Sequence, residues 1–149
     1  MICSGLVATG LYFTSFLALA LTDQETLGEN LYFDTNLSEP AGQACASCHG
    51  PSTGFADPDQ NIPVSEGVIA GLFGGRNSPT ASYAVFSPVF SLSGGIKGGQ
   101  FWDGRAATLA EQAKGPFLNP VEMANTSRSQ VIGKIQASIY SALFEQVCG

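Results

Sequence analysis

Apolar and polar positions divide the chain into three regimes. From Met1 to Thr22 no residue is charged, and Gly5 to Leu21 is mostly apolar. From Asp23 to Asn36 the apolar positions recur at helical spacing, with Leu27, Leu31 and Phe33 on one face. Thr22 or Asp23 can cap that helix, and Glu25 and Glu29 lie where the helix dipole favours negative charge. Leu37 to Gly42 reads as a turn. The run from Gly50 to Gly75, with Pro51, Pro58 and Pro63, reads as one long loop, of the kind that is functional or wrapped around something. A mixed apolar segment comes next (Ala81 to Phe90), then a glycine-rich loop from Ser91 to Gly99. A helix is expected from about Ala106 to Lys114, stopped by Pro116, and Phe117 to Met123 is a loop. The last helix is expected to start near Ser127 or Ser129, with Val131, Ile132, Ile135, Ile139 and Leu143 on its apolar face. The pattern predicts a mostly α domain over 23–149 with long Gly/Pro-rich loops, preceded over 1–22 by an apolar helix.

That first segment has two readings. Ala18-Leu19-Ala20 matches the small-x-small end of a secretory signal peptide, although no Lys or Arg precedes the apolar run. As a helix, the uncharged stretch would reach about 33 Å at 1.5 Å per residue, enough for a membrane anchor across a ~30 Å hydrocarbon layer. Under either reading the domain over 23–149 is exported to the periplasmic side.

Composition narrows the class. The 149 residues make one ordinary domain, and with 44% hydrophobic and 12% charged residues the chain is not a disordered one. Six Lys+Arg against twelve Asp+Glu give a net charge of −6. No basic stripe exists for phosphate contacts, so no nucleic-acid partner is expected. A partner with a basic surface would be attracted at low salt, and the charge also serves solubility.

The chemistry centres on Cys45-Ala46-Ser47-Cys48-His49, which contains the only histidine. C-x-x-C-H is the attachment pattern of haem c: each thiol adds to a vinyl group, and the next residue brings an imidazole to the iron. A redox C-x-x-C pair or half a zinc site competes with that reading. Zinc would need two more ligands nearby, whereas Cys3 and Cys148 lie at the two ends of the chain. Glu122 is a loop carboxylate that could serve as a general acid–base, and Gln112 an amide that could orient a bound group by a hydrogen bond. Phe101 and Trp102 also read as core aromatics, Glu122 as a solvated loop acid, and Met123 as an iron ligand or a packing residue. Arg105 could bind a haem propionate, pair with Asp103 or anchor a turn; Arg76 is another propionate candidate.

LGENLYFDTNLS (27–38), CASCHG (45–50), RNSPT (76–80), FWDGRAATLAEQAKGP (101–116) and NPVEM (119–123) together resemble the bacterial di-haem cytochrome c peroxidases and their MauG-like relatives, in the family's order. The match is to the N-terminal, peroxidatic haem domain. The resemblance implies a cytochrome c-like fold with one covalent haem c on Cys45 and Cys48 and His49 as the proximal iron ligand. It implies Glu122 as the distal acid–base, Gln112 and Phe101 in the peroxide pocket, Trp102 on the route between two haems, and Asn77 where the family has a calcium ligand.

Two departures from the family shape the expectation. The family has a second C-x-x-C-H domain that feeds electrons to the first, and this chain has one such motif. The second haem is therefore expected on another chain, lost, or beyond the residues given. Many members also carry a histidine between the haem motif and RNxPT that caps the resting iron. Residues 50–75 contain none, so the iron should be five-coordinate, water-bound or held by an unexpected ligand. The first functional expectation is a peroxidase that reduces hydrogen peroxide with electrons from a partner haem protein. The second is a non-catalytic electron-transfer subunit of a membrane complex, and the third is a fragment of a two-haem enzyme.

Overall fold

The structure is a computed structural model and describes residues 20–59 and 61–149. The expected N-terminal apolar helix falls on residues outside these. Among the described residues no helix is long and apolar enough to cross a membrane. The helices are α1 (Asp23–Phe33), α2 (Cys45–Cys48), α3 (Leu109–Leu118), α4 (Arg128–Gln136) and α5 (Ser141–Cys148), with short 3-10 turns at Thr35–Leu37, Pro51–Thr53 and Ala84–Phe86. Extended pairing among the described residues is confined to isolated bridges, such as Ser91 with Lys97 and Gln100 with Ala106.

α1 opens on a capping box: the Glu25 N–H donates to Thr22 Oγ1 (3.2 Å), and Glu25 Oε2 accepts from the Thr22 N–H (2.8 Å). It stops three residues short of the expected Asn36. Asp34 Oδ1 accepts the Asn36 N–H at 2.8 Å, a local bond that competes with the helical ladder and tightens the chain into the 3-10 turn. Phe33, expected on the apolar face, is 48% exposed.

The core lies where α1, α4 and α5 meet. Leu27, Leu37, Met123, Val131, Ile135 and Tyr140 are buried together, with Leu31, Phe117, Leu143, Phe144 and Val147 packed against them. Burial of this apolar surface is the main favourable contribution to folding. Asn125, 4% exposed, ties the core to the loops by donating from Nδ2 to the Leu37 carbonyl (2.7 Å) and the Phe117 carbonyl (2.9 Å).

The later helices also depart from the sequence expectation. α3 begins at Leu109, because the Ala106 carbonyl is committed to the Gln100 N–H (2.8 Å) and Thr108 supplies the cap to Glu111. It also runs through Pro116 to Leu118. Gly115 permits this: a residue before proline resists the helical region partly through its Cβ, and glycine has none. The expected single C-terminal helix is two. Ser138 Oγ donates to the Ile135 carbonyl (2.7 Å) and accepts from the Tyr140 N–H (3.3 Å), closing α4 at a corner. At that corner Ile139 points wholly into solvent, and Ile132 is 39% exposed, so neither lies on the core face that spacing assigns to them.

Candidate haem-attachment and peroxide site

α2 is a single turn, and that is its use. It places Cys45 and Cys48 one turn apart, both half-buried, with His49 at its end. Burial pushes both thiols above the ordinary cysteine value, so they are protonated at neutral pH; for Cys48 the neighbouring Asp57 and Glu122 charges push further in the same direction.

His49 is held from both sides. Its Nδ1 lies 2.8 Å from the Pro79 carbonyl. A carbonyl can only accept, so Nδ1 carries the proton and Nε2 keeps its lone pair for a metal. The Tyr32 hydroxyl donates to the His49 carbonyl at 2.7 Å, with its ring edge-on to Phe55. Burial, then the two thiols, push the Tyr32 hydroxyl up to about 12, which keeps it a donor. Neither Tyr32 nor the Pro79 carbonyl is legible as a site group from the sequence, although Pro79 lies within the RNSPT motif. Two thiols one turn apart beside an imidazole with a committed Nδ1 and a free Nε2 are the donor set that haem c requires, and the residues fit it.

Glu122 approaches this turn from the loop after α3. Its main chain is fixed by three bonds: its N–H donates to the Asn119 carbonyl (3.0 Å), its carbonyl accepts from the Val68 N–H (2.8 Å), and the following Met123 N–H donates to the Pro116 carbonyl (3.2 Å). Asn119 Nδ2 donates to Glu122 Oε1 at 2.7 Å. Burial raises the carboxyl above its ordinary value; the Asn119 hydrogen bond and the Arg105 charge pull it partly back. The solvated-loop reading of Glu122 is therefore set aside, and Asn119 joins the site as a residue that sequence reasoning misses.

Gly67 explains how close the loops approach. A Cβ there would stand 2.3 Å from the Val121 carbonyl oxygen and 3.1 Å from the Glu122 nitrogen. Its backbone is outside the left-handed region, so the constraint is steric. Gly67→Ala should cost about 1–3 kcal/mol through overpacking, read as a lowered melting temperature of the haem-loaded protein. An unchanged melt would show that the loop yields.

The remaining candidates divide. Phe101 adopts a left-handed φ of 63°, which is uncommon outside glycine. Its ring lies 3.5 Å beneath the Arg105 guanidinium, and the ring tip reaches Gly115 of α3. Gln112 is half-buried on that same helix. Arg76 and Arg105 both pair with Asp103 at 2.8 Å, and this holds its carboxyl well below the usual carboxylate range. Arg105 thus takes the Asp103 partner, one of the three roles its position allows. Trp102 is 63% exposed, which corrects the core reading, and its Nε1 donates to the Asn77 carbonyl at 2.9 Å. Asn77 turns its own amide nitrogen to the Pro63 carbonyl (3.3 Å). Among the described residues no group of three His, Cys, Asp or Glu could hold a metal ion, so calcium at Asn77 rests on the family resemblance alone. Met123 is core, not a ligand: it is 3% exposed among Leu27, Leu37, Val131, Ile135 and Tyr140.

Fold and site together define a cytochrome c-type domain whose attachment turn faces a clamped, half-buried carboxyl. The family model for di-haem cytochrome c peroxidase matches residues 22–149, and the chain belongs to that family. It is 43% identical over 129 residues to the methylamine utilization protein MauG of Paracoccus denitrificans (83% of this chain, 33% of that protein). It is 45% identical over 114 residues to the cytochrome c551 peroxidase of Pseudomonas aeruginosa (75% and 29%). Among solved structures, the diheme peroxidase BthA of Burkholderia thailandensis superposes with a TM-score of 0.76 at 36% identity, covering 83% of this chain and 32% of that one. The chain thus spans about a third of the length of the relatives it matches.

Proposed function

We propose that this chain is the peroxide-reacting haem domain of a c-type cytochrome peroxidase, reducing hydrogen peroxide with electrons from a partner haem protein. The observation that carries the reading is the placement of Glu122: a half-buried carboxyl, raised by that burial and gripped on one oxygen by Asn119. The cytochrome c peroxidases among its relatives support it.

Haem c, which Cys45 and Cys48 would hold with His49 as iron ligand, would supply the metal centre and the redox chemistry for peroxide. The chain supplies the proton movement. Glu122, with Oε1 held by Asn119, has Oε2 to take the proton from the inner peroxide oxygen and return it to the outer one, so that water can leave. The positive charge of Arg105, which is paired with Asp103, favours the ionised form of Glu122 between those steps. Phe101 and Gln112 are the proposed walls of the peroxide pocket, on the family resemblance; the Phe101 ring tip lies against Gly115 of the helix that carries Gln112. The balance is H2O2 + 2 H⁺ + 2 e⁻ → 2 H2O, the electrons coming from two one-electron oxidations of the partner's haem. Trp102, exposed and fixed by its bond to Asn77, is the proposed inlet for them. The uncharged first 22 residues support export to the periplasmic side, where haem c is attached in bacteria.

The test is spectroscopic. With the only histidine used proximally and Met123 in the core, the ferric haem-loaded protein should be high-spin by EPR, and one equivalent of peroxide should shift its Soret band within seconds. A low-spin spectrum indifferent to peroxide would overturn the proposal in favour of an electron-transfer subunit.

A further inference from the structure

We infer that Gln43 is a positioning residue for Glu122, its amide holding residues 66–68 as a strap between the haem-attachment turn and the backbone that carries the glutamate. For its activity readout the inference rests on the peroxidase reading above; its structural readout does not.

Gln43 sits two residues before Cys45 and is 6% exposed. Its backbone N–H donates to Ser38 Oγ at 2.8 Å, and Ser38 is itself fully buried, so the residue is anchored at its root. Its Nε2 donates to the Glu66 carbonyl at 2.8 Å and to Cys48 Sγ at 3.4 Å. The Glu66 carbonyl can only accept, which fixes the nitrogen on that side. Oε1 is thereby turned away, and it is buried without a partner among the described residues. A buried amide oxygen left unpaired is costly. The side chain is thus oriented by its two donor contacts at the expense of its acceptor.

From Glu66 the strap runs directly onto Glu122. Gly67 rests on the Val121–Glu122 peptide, and the Val68 N–H donates to the Glu122 carbonyl at 2.8 Å. The strap closes on itself: the Gly67 N–H donates to the Leu72 carbonyl (2.8 Å), the Gly71 N–H to Glu66 Oε1 (2.6 Å), and the Gly74 N–H to the Ser65 carbonyl (2.9 Å). It therefore moves as a unit. A displacement of Glu66 is passed to the main chain of Glu122, whose other side is pinned by Asn119. Gln43 links one haem-attaching sulfur to that unit, and so sets how far the carboxyl stands from the attachment turn.

The experiment replaces Gln43 by leucine in the haem-loaded protein, which keeps the bulk and removes both donors. Amide exchange over residues 66–72 should speed by about tenfold or more, while α4 exchanges as before. The second-order rate with peroxide should fall about tenfold with the high-spin EPR signal in place. The discriminating arm is a double-mutant cycle. If Gln43 acts through Glu122, Q43L should cost nothing further in the E122Q background; an equal loss in both backgrounds would overturn the inference. So would unchanged exchange over 66–72. If E122Q alone leaves the peroxide rate unchanged, it is the proposed function that fails, and the exchange result by itself decides the role of Gln43. Should Q43L not fold, Gln43→Met offers a similar length without the donors and is expected to loosen the strap equally.

Discussion

Replacing Glu122 by glutamine should slow the reaction with peroxide by roughly 10²- to 10⁴-fold, the usual contribution of a positioned acid–base group. It should also remove the acid limb of the pH–rate profile. The base must be ionised to accept a proton, so in the parent protein the rate falls as pH drops through the carboxyl's own value. Burial raises that value above the ordinary 4.5, which places the limb on the alkaline side of a free glutamate's. Stability should move the other way. A carboxyl whose folded value is raised prefers its proton in the folded state, so the folded protein loses stability as pH rises through the interval from 4.5 to the raised value, and this cost is fully present above it. Glutamine never ionises. The variant should therefore melt above the parent at neutral pH and converge with it in acid. Stopped-flow rates and thermal melts across pH check both parts. A variant that keeps its peroxide rate and its acid limb would remove Glu122 from the chemistry.

How much the sequence reveals depends on how local each determinant is. Cys45, Cys48 and His49 act at fixed short spacing, so their chemistry is visible in five residues. The Thr22 cap and the Ser127 start of α4 are likewise local, and both are legible. Glu122 is identified through the NPVEM resemblance, while its clamp three residues upstream, Asn119, goes unread although it lies in the same motif. The Pro79 carbonyl, the Tyr32 hydroxyl and the Gln43 amide reach partners 30, 17 and 23 residues away. No periodicity encodes such contacts. The helix boundaries fail for a different reason. Asp34 and Ser138 close helices through single side-chain bonds, and Gly115 lets α3 continue through Pro116; in each case one neighbour outweighs the propensity of the run. Ile139 shows the same limit: it has helical spacing from Ile135, but it stands on the corner between two helices, not on a continuous face.

Met123→Ala separates the two roles that its position beside Glu122 allows. Its side chain is 3% exposed and packs with Leu27, Leu37, Val131, Ile135 and Tyr140, which belong to α1, the turn after it, α4 and the start of α5. Truncating a buried methionine forfeits transfer free energy and leaves a cavity that the surroundings fill only in part, so the expected cost is about 2–5 kcal/mol. For a domain of this size that lowers the melting temperature by roughly ten degrees or more. The backbone at 123 should hold, because its N–H is bonded to the Pro116 carbonyl and its carbonyl takes the Glu39 N–H at 2.8 Å. The haem spectrum of the folded variant, and its reaction with peroxide at low temperature, should therefore match the parent's. A thioether on the iron would give the reverse: a changed spin state on substitution with little loss of stability. Melting curves and EPR on one preparation distinguish the two, and the burial of Met123 away from the attachment turn commits the expectation to a loss of stability with an unchanged spectrum.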